Sequence, residues 1–215
     1  MSADGSGFRL AVVGTGRARG QIVIAGCPGR AARMPLPWNS EWRLRRDATT
    51  LKHWGVEALV TLMEKSELTL MRLTELPELL AEHGIAWYHL PVGGACIPDA
   101  RFEALWRAVS PQLCAILWRG GRVAVHCGDG RSRAPLVSAK LLIEFGCPIN
   151  DALNRIRGAR PGVLVRPEEH AFILQQTQRA EVGDAAVPGA RDDPSASRRY
   201  PAELDNPNRL DLLQA

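Results

Sequence analysis

Short apolar runs that alternate with helix-like segments restrict the fold of this 215-residue chain more than any other feature. The runs at 58–60 and 123–125 are apolar on both faces, as expected of strands that helices cover on both sides of a parallel sheet. Segments with helical periodicity follow them, among them residues 99–118 and 135–146. The pattern predicts an α/β domain with a central, mostly parallel sheet flanked by helices on both faces.

The last 35 residues differ from the rest of the chain. They contain four prolines, charges of both signs and no sustained periodicity before a short LDLL run. The remaining residues are close to the usual size of one domain. We therefore predict a single domain over 1–180 and a flexible or disordered tail over 181–215.

Hydropathy and cysteine content indicate where the protein works. No stretch reaches the roughly 18 to 20 apolar residues that a membrane-spanning helix needs, and the first ten residues contain no apolar run. The five cysteines are scattered, without a C-x-x-C pair. We expect a cytoplasmic protein with free thiols and no membrane association. The histidines lack the spacing of metal ligands, so we expect no metal.

The charge distribution favours an anionic ligand. The net charge is +4, and residues 181–215 hold four arginines against seven acidic residues, so the predicted domain is more basic than the whole chain. Such a body suits a phosphate compound. No basic run is interleaved with aromatic residues, and we therefore expect no nucleic-acid partner.

One segment combines a strand, a loop of small residues and a helix. Residues 122–126 form the predicted strand, and Cys127 and Arg133 follow with five residues between them. A loop that wraps an oxyanion needs backbone N–H groups that point inward, which the residues Gly128, Gly130 and Ser132 favour. The same field favours a thiolate at Cys127, and the planar Arg133 guanidinium could grip two phosphate oxygens. The alternative is a buried cysteine in a tight turn.

The same spacing occurs at Cys27 and Arg33, which limits its value as a signal. Pro28 lacks an N–H group for an anion, and prolines at 35 and 37 prevent a following helix. We interpret this second occurrence as chance.

The motif His126-Cys127-x-x-Gly130-x-x-Arg133 resembles the signature of cysteine-dependent protein tyrosine and dual-specificity phosphatases. Further matches over residues 8–178 follow the order of the subgroup that resembles cyclin-dependent kinase inhibitor 3, namely residues 24–29, 54–55, 90–91, 98–99 and 160–162. The resemblance implies a phosphatase without metal or cofactor that acts through a phosphocysteine intermediate. Its substrate would be a phosphorylated protein or a small phosphorylated molecule.

The resemblance also implies roles for individual residues. Cys127 would attack phosphorus and Arg133 would clamp the phosphate. His126 would support the loop by hydrogen bonding, and the loop residues that would surround the phosphate are Gly128, Asp129, Gly130, Arg131 and Ser132.

The proton donor for the leaving group is an open question, because Gly94 occupies the position where the family carries its aspartate. Asp99 is one candidate, although it looks equally like the N-terminal cap of a helix. Asp129 is the second, and its alternative role is to brace the loop through Arg131.

Two further departures concern hydrolysis of the intermediate. Ala134 replaces the usual Ser or Thr, and Glu169 stands where a glutamine positions water in the family. A slow phosphatase fits these departures. Two alternatives stay open, a module that binds phosphate without turnover and a rhodanese-like sulfurtransferase. Residues 64–67 could line the site or begin a helix, and Trp38 and Trp42 could border a cleft.

Overall fold

A computed structural model describes residues 8–16, 18–30 and 41–183. Within these residues the chain forms five strands and seven helices. The strands are β1 (Leu10–Gly14), β2 (Gln21–Ala25), β3 (Val56–Thr61), β4 (Ala86–His89) and β5 (Arg122–His126). The helices are α1 (Glu41–His53), α2 (Lys65–Leu70), α3 (Leu76–Glu82), α4 (Ala100–Trp118), α5 (Arg133–Glu144), α6 (Ile149–Ala159) and α7 (Pro167–Gly183).

The strands form one sheet in the order β1-β2-β5-β3-β4. The pairs β2–β5, β5–β3 and β3–β4 are parallel, whereas β1 is antiparallel to β2. The predicted central, mostly parallel sheet is confirmed. The sequence pattern did not predict β1, since this strand lies at the sheet edge and is only partly buried.

Helices cover both faces of the sheet, as predicted, and each face has its own apolar core. Successive residues of β5 point to opposite sides: Val123 and Val125 pack in one core, and Ala124 packs in the other. The first core includes side chains of α4, α5, α6 and α7, and the second includes those of α1, α2 and α3. Double coverage explains why 58–60 and 123–125 are fully buried.

The central position of β5 determines where a site can form. β5 lies between two parallel neighbours, so the loops after β2, β3 and β5 meet at one edge of the sheet. In open α/β sheets ligands bind at this carboxyl edge. The segment 127–132 leaves β5 there and leads directly into α5.

The last element of the described chain crosses the predicted domain boundary, and the tail over 181–215 stays a prediction. Helix α7 continues to Gly183, so the predicted boundary at 180 falls inside it. Residues 184–215 lie outside the described part of the chain. None of the helices in that described part is long and apolar enough to cross a bilayer.

Candidate active site

Cys127 directly follows β5, and its side chain is buried, with 1% of the residue exposed. The backbone N–H of Gly130 donates to its Sγ atom at 3.2 Å. The carboxylate oxygen Oδ1 of Asp129 lies 3.9 Å from the same sulfur. The loop therefore curls around the thiol, and at least one inward amide stabilises negative charge on it.

Gly130 allows the loop to lie against the neighbouring strand. Its φ angle is +67°, a conformation that residues with a side chain rarely adopt. A Cβ atom at this position would lie 2.6 Å from the carbonyl oxygen of Ala25, at the end of β2. The signature glycine is thus required both by backbone conformation and by space.

Arg133 is the first residue of α5, as the predicted clamp requires. Its Nη1 and Nη2 atoms donate to the two carboxylate oxygens of Glu67, both at 2.6 Å. Nη1 also donates to the carbonyl oxygens of Leu62 and Val92. Among the described residues no acceptor contacts the Nε proton or the second Nη2 proton of Arg133. These two donors can therefore bind two phosphate oxygens as a bidentate pair.

Glu67 is a site residue whose role the sequence reasoning did not identify. Residues 64–67 begin a helix, since α2 starts at Lys65. The Glu67 carboxylate also lies at the site, because it contacts Arg133. Burial raises the pKa of Glu67, but hydrogen bonds from Arg133 and from the Glu64 amide outweigh it and lower the pKa overall. Its location just after a strand that neighbours β5 was the available signal.

His126 is fully buried behind the loop. Its Nε2 atom lies 2.7 Å from the Thr61 hydroxyl, which also accepts a hydrogen bond from Trp87 Nε1 at 2.8 Å. Burial lowers the pKa of His126 to about 3, against a partly compensating interaction with the Cys127 backbone. The ring is therefore neutral at physiological pH.

The two carboxylates considered as proton donors lie in different settings. Asp99 is exposed and caps α4, where its Oδ1 accepts a hydrogen bond from the Phe102 amide at 2.8 Å. Asp129 lies in the loop, and its Oδ1 accepts from the Arg131 amide at 2.9 Å. The bracing contact involves the Arg131 backbone and not its guanidinium. Gly94 is exposed, with open space where a side chain would begin.

Glu169 is committed to an arginine that contacts the loop. It is 2% exposed, and its carboxylate accepts from both the backbone and the guanidinium of Arg166. Arg166 in turn donates to the Ser132 hydroxyl at 3.3 Å. Ala134, buried in the first turn of α5, has no hydroxyl to offer the sulfur.

Two further arginines hold the loop from outside. Arg30 donates to the Gly128 carbonyl at 2.8 Å, and Arg160 donates to the Asp129 carbonyl at 2.9 Å. These contacts turn loop carbonyls outward. The sequence indicates Arg160 only through the family resemblance at 160–162, and it gives no signal for Arg30.

Cys27 also lies beside the loop, because β2 and β5 are neighbours. Its amide donates to the Gly128 carbonyl at 3.4 Å. Burial raises the pKa of the Cys27 thiol to about 12, so it stays protonated. Arg33 and Trp38 lie outside the described residues, and Trp42 is exposed on α1 beside Arg43 and Arg46.

Other features of the described part of the chain are less suited to a phosphate. No group of three or more His, Cys, Asp or Glu side chains there could hold a metal ion. A cavity of about 330 Å³ between α1 and α3 is lined largely by carboxylates, namely those of Glu41, Glu75, Glu78 and Glu82. Its charge would repel an anion.

Comparison with known proteins identifies the family of the chain. A family model described as cyclin-dependent kinase inhibitor 3 matches residues 11–153, well over half of the chain. The chain belongs to the cyclin-dependent kinase inhibitor 3 family. The cyclin-dependent kinase inhibitor 3 of Rattus norvegicus is 26% identical over 121 residues, which are 54% of this chain and 56% of the relative. The tyrosine-protein phosphatase CDC14 of Saccharomyces cerevisiae is 37% identical over 67 residues, 31% of this chain and 12% of that protein.

Solved structures support the same fold for this family member. Kinase associated phosphatase, crystallised with its catalytic site cysteine changed to serine, has a TM-score of 0.68 at 18% identity. The alignment covers 83% of this chain and 98% of that one. PTPMT1 in complex with PI(5)P has a TM-score of 0.59 at 17% identity, covering 76% and 94%. The chain thus spans nearly all of these structures, but less than two thirds of the two relatives matched by sequence.

Proposed function

We propose that this protein is a phosphomonoester hydrolase of the protein tyrosine and dual-specificity type, with Cys127 as nucleophile. The observation that carries the proposal is the loop itself, in which a buried thiol accepts an amide hydrogen bond while Arg133 keeps two donors unoccupied. Phosphatases among its relatives support the reaction class. The substrate would be a phosphorylated protein or a small phosphorylated molecule, and no metal or cofactor is required.

The proposed reaction has two steps. The Cys127 thiolate forms a bond to phosphorus as the bond from phosphorus to the alcohol oxygen breaks, and the alcohol leaves with a proton. Water then displaces the thiolate and releases inorganic phosphate. Arg133 and the loop amides stabilise the equatorial oxygens in both steps.

Asp129 is the proton donor that we propose for the first step. Its carboxyl lies beside the sulfur, whereas Asp99 already caps α4. For the second step Glu169 is the residue at the expected water-positioning place, although Arg166 occupies its carboxylate. We therefore expect hydrolysis of the phosphocysteine to be the slower step.

A rapid-mixing time course with p-nitrophenyl phosphate tests the proposal, because its leaving group hardly needs a proton donor. We expect a burst near one p-nitrophenolate per enzyme, followed by slower turnover. The Cys127→Ser variant should give neither phase. Fast steady turnover without a burst would show that hydrolysis is not limiting.

A module that binds phosphorylated partners without turnover is the second candidate. The open space at Gly94 and the missing hydroxyl at Ala134 favour it, since both remove groups that assist turnover. In the p-nitrophenyl phosphate experiment, this candidate predicts no product from the native chain or from Cys127→Ser, although both still bind inorganic phosphate. That result would overturn the hydrolase proposal. Sulfur transfer gains no support from the family assignment.

A further inference from the structure

Four arginines from different parts of the chain lie around the Cys127 loop. Arg9 precedes β1, Arg30 follows β2, Arg131 belongs to the loop, and Arg160 ends α6. The antiparallel pairing of β1 with β2 brings the start of β1 to the carboxyl edge of the sheet. We call these four residues the arginine cluster.

Arg160, like Arg30, is partly buried, and it lies next to the Cys127 loop. Its Nη2 atom donates to the Asp129 carbonyl at 2.9 Å. Burial lowers the pKa of Arg160, Cys127 and Asp129 oppose that change, and the like charges of Arg131 and Arg9 add to it. A guanidinium that is partly removed from water beside two other cations is stabilised by a bound anion.

The four arginines of the cluster form no ion pair with a carboxylate in the described part of the chain. Throughout the described residues, none of the ion pairs within 4 Å includes Arg9, Arg30, Arg131 or Arg160. Arg133 and Arg166, two other arginines at the loop, are each paired with glutamate. The contrast separates arginines that a carboxylate neutralises from four that carry surplus positive charge.

Asp129 is a carboxylate whose charge acts on Arg160, so the direction of its side chain matters. Its Oδ1 atom is turned toward the Arg131 amide and the Cys127 sulfur. The Arg131 guanidinium instead extends toward 160–162, where its Nη2 atom would lie 3.9 Å from a Cβ on Gly162. Arg131 and Arg160 therefore approach each other beside the loop, outside the thiol pocket.

A single phosphate bound by the loop amides and Arg133 would not neutralise the positive charges of the arginine cluster. We infer that Arg131 and Arg160, supported by Arg9 and Arg30, form a second anion site for substrates that carry another phosphate group close to the scissile one. The inference rests on the proposed function, because it assigns the first phosphate to the Cys127 loop. Planar guanidinium groups suit a phosphate dianion, which each can hold through two parallel hydrogen bonds.

The test uses binding, so that it does not depend on turnover. The full-length Cys127→Ser protein is titrated by calorimetry at 150 mM salt with an inositol monophosphate and with the vicinal inositol bisphosphate. We expect the bisphosphate to bind at least ten-fold more tightly. Arg160→Gln and Arg131→Gln should each reduce that ratio to three-fold or less. Arg107→Gln, which changes an exposed arginine of α4, is the matched control and should keep it.

The outcomes separate this inference from the hydrolase proposal. Equal affinities for the two ligands, or a ratio that survives both cluster substitutions, would overturn the second site while leaving hydrolysis of monophosphates intact. A ten-fold preference that depends on Arg160 in a protein that hydrolyses nothing would retain the site and reject the hydrolase. Repeating the titration with vesicles that contain the corresponding diacyl lipid distinguishes a lipid headgroup from a free bisphosphate. If the second site recognises a lipid headgroup, the protein should bind the vesicles more tightly than the free bisphosphate. If it recognises a free bisphosphate, the vesicles should bind no more tightly.

Discussion

At the scale of single residues, the site depends on where protons lie around Cys127. Trp87 Nε1 can only donate, so the Thr61 hydroxyl receives that hydrogen bond and has its own proton available for His126 Nε2. This arrangement places the ring proton on Nδ1, a buried atom that has no hydrogen-bond partner among the described residues. The Cys127 backbone is the polar group that most offsets the burial of the ring.

Thr61→Val should disturb this arrangement without changing the shape of the core. We expect kcat/KM for p-nitrophenyl phosphate to fall about 3- to 10-fold, the equivalent of one hydrogen bond. Thr69→Val is the control, because within the described residues that hydroxyl bonds only to the Lys65 carbonyl of α2. The same kcat/KM in both variants would remove Thr61 from a positioning role.

Asp129→Asn tests the proposed proton donor. Asparagine keeps an oxygen for the Arg131 amide but cannot protonate a leaving alcohol. We expect kcat/KM for phenyl phosphate to fall about 100-fold, and kcat/KM for p-nitrophenyl phosphate to change less than three-fold. An equal loss with both substrates would mean that Asp129 only braces the loop.

At the scale of elements, the site is a junction of strand ends. The Cys127 loop lies against the end of β2, and Arg133 is tied to α2 and to the segments after β3 and β4. After helix α5, Gly146 at φ +89° lets its own amide and that of Cys147 donate to the carbonyls of Ile143 and Leu142. The loop is therefore fixed by its neighbours as well as by its own sequence.

Gly130→Ala tests how closely the loop packs against β2. The new methyl group would overlap the Ala25 carbonyl at a positive φ, so we expect the free energy of unfolding to fall by about 2 to 4 kcal/mol. Gly94→Ala meets no atom within 4 Å and should change it by less than about 0.5 kcal/mol. Urea unfolding of both variants makes the comparison, and equal losses would contradict the close approach.

At the scale of the whole molecule, a buried neutral histidine makes stability depend on pH. The pKa of His126 is about 3 in the fold and about 6.5 in the unfolded chain, so the unfolded state binds a proton that the fold does not. The stabilising contribution is complete above pH 6.5 and is lost as the pH falls toward 3.

We expect the free energy of unfolding to fall by about 1.4 kcal/mol when the pH is lowered from 7.5 to 5.5, because the unfolded chain then protonates His126. Urea unfolding of the native chain and of His126→Gln at both pH values isolates this contribution. If the variant does not fold, NMR titration of the native histidines gives the same answer. A His126 resonance that titrates near pH 6.5 would contradict the prediction.

The amino-acid sequence by itself determined the α/β class, the sheet covered on both faces, and the strand, loop and helix around Cys127. Those features depend on local periodicity and on residue types within a short segment, and both are visible in one dimension. The partners of Arg133, His126 and the loop carbonyls were decided by tertiary structure, because Glu67, Thr61, Arg30 and Arg160 lie 31 to 98 residues from the groups that they contact. Only the order of the strands brings these residues to one edge of the sheet, and a single sequence does not specify that order.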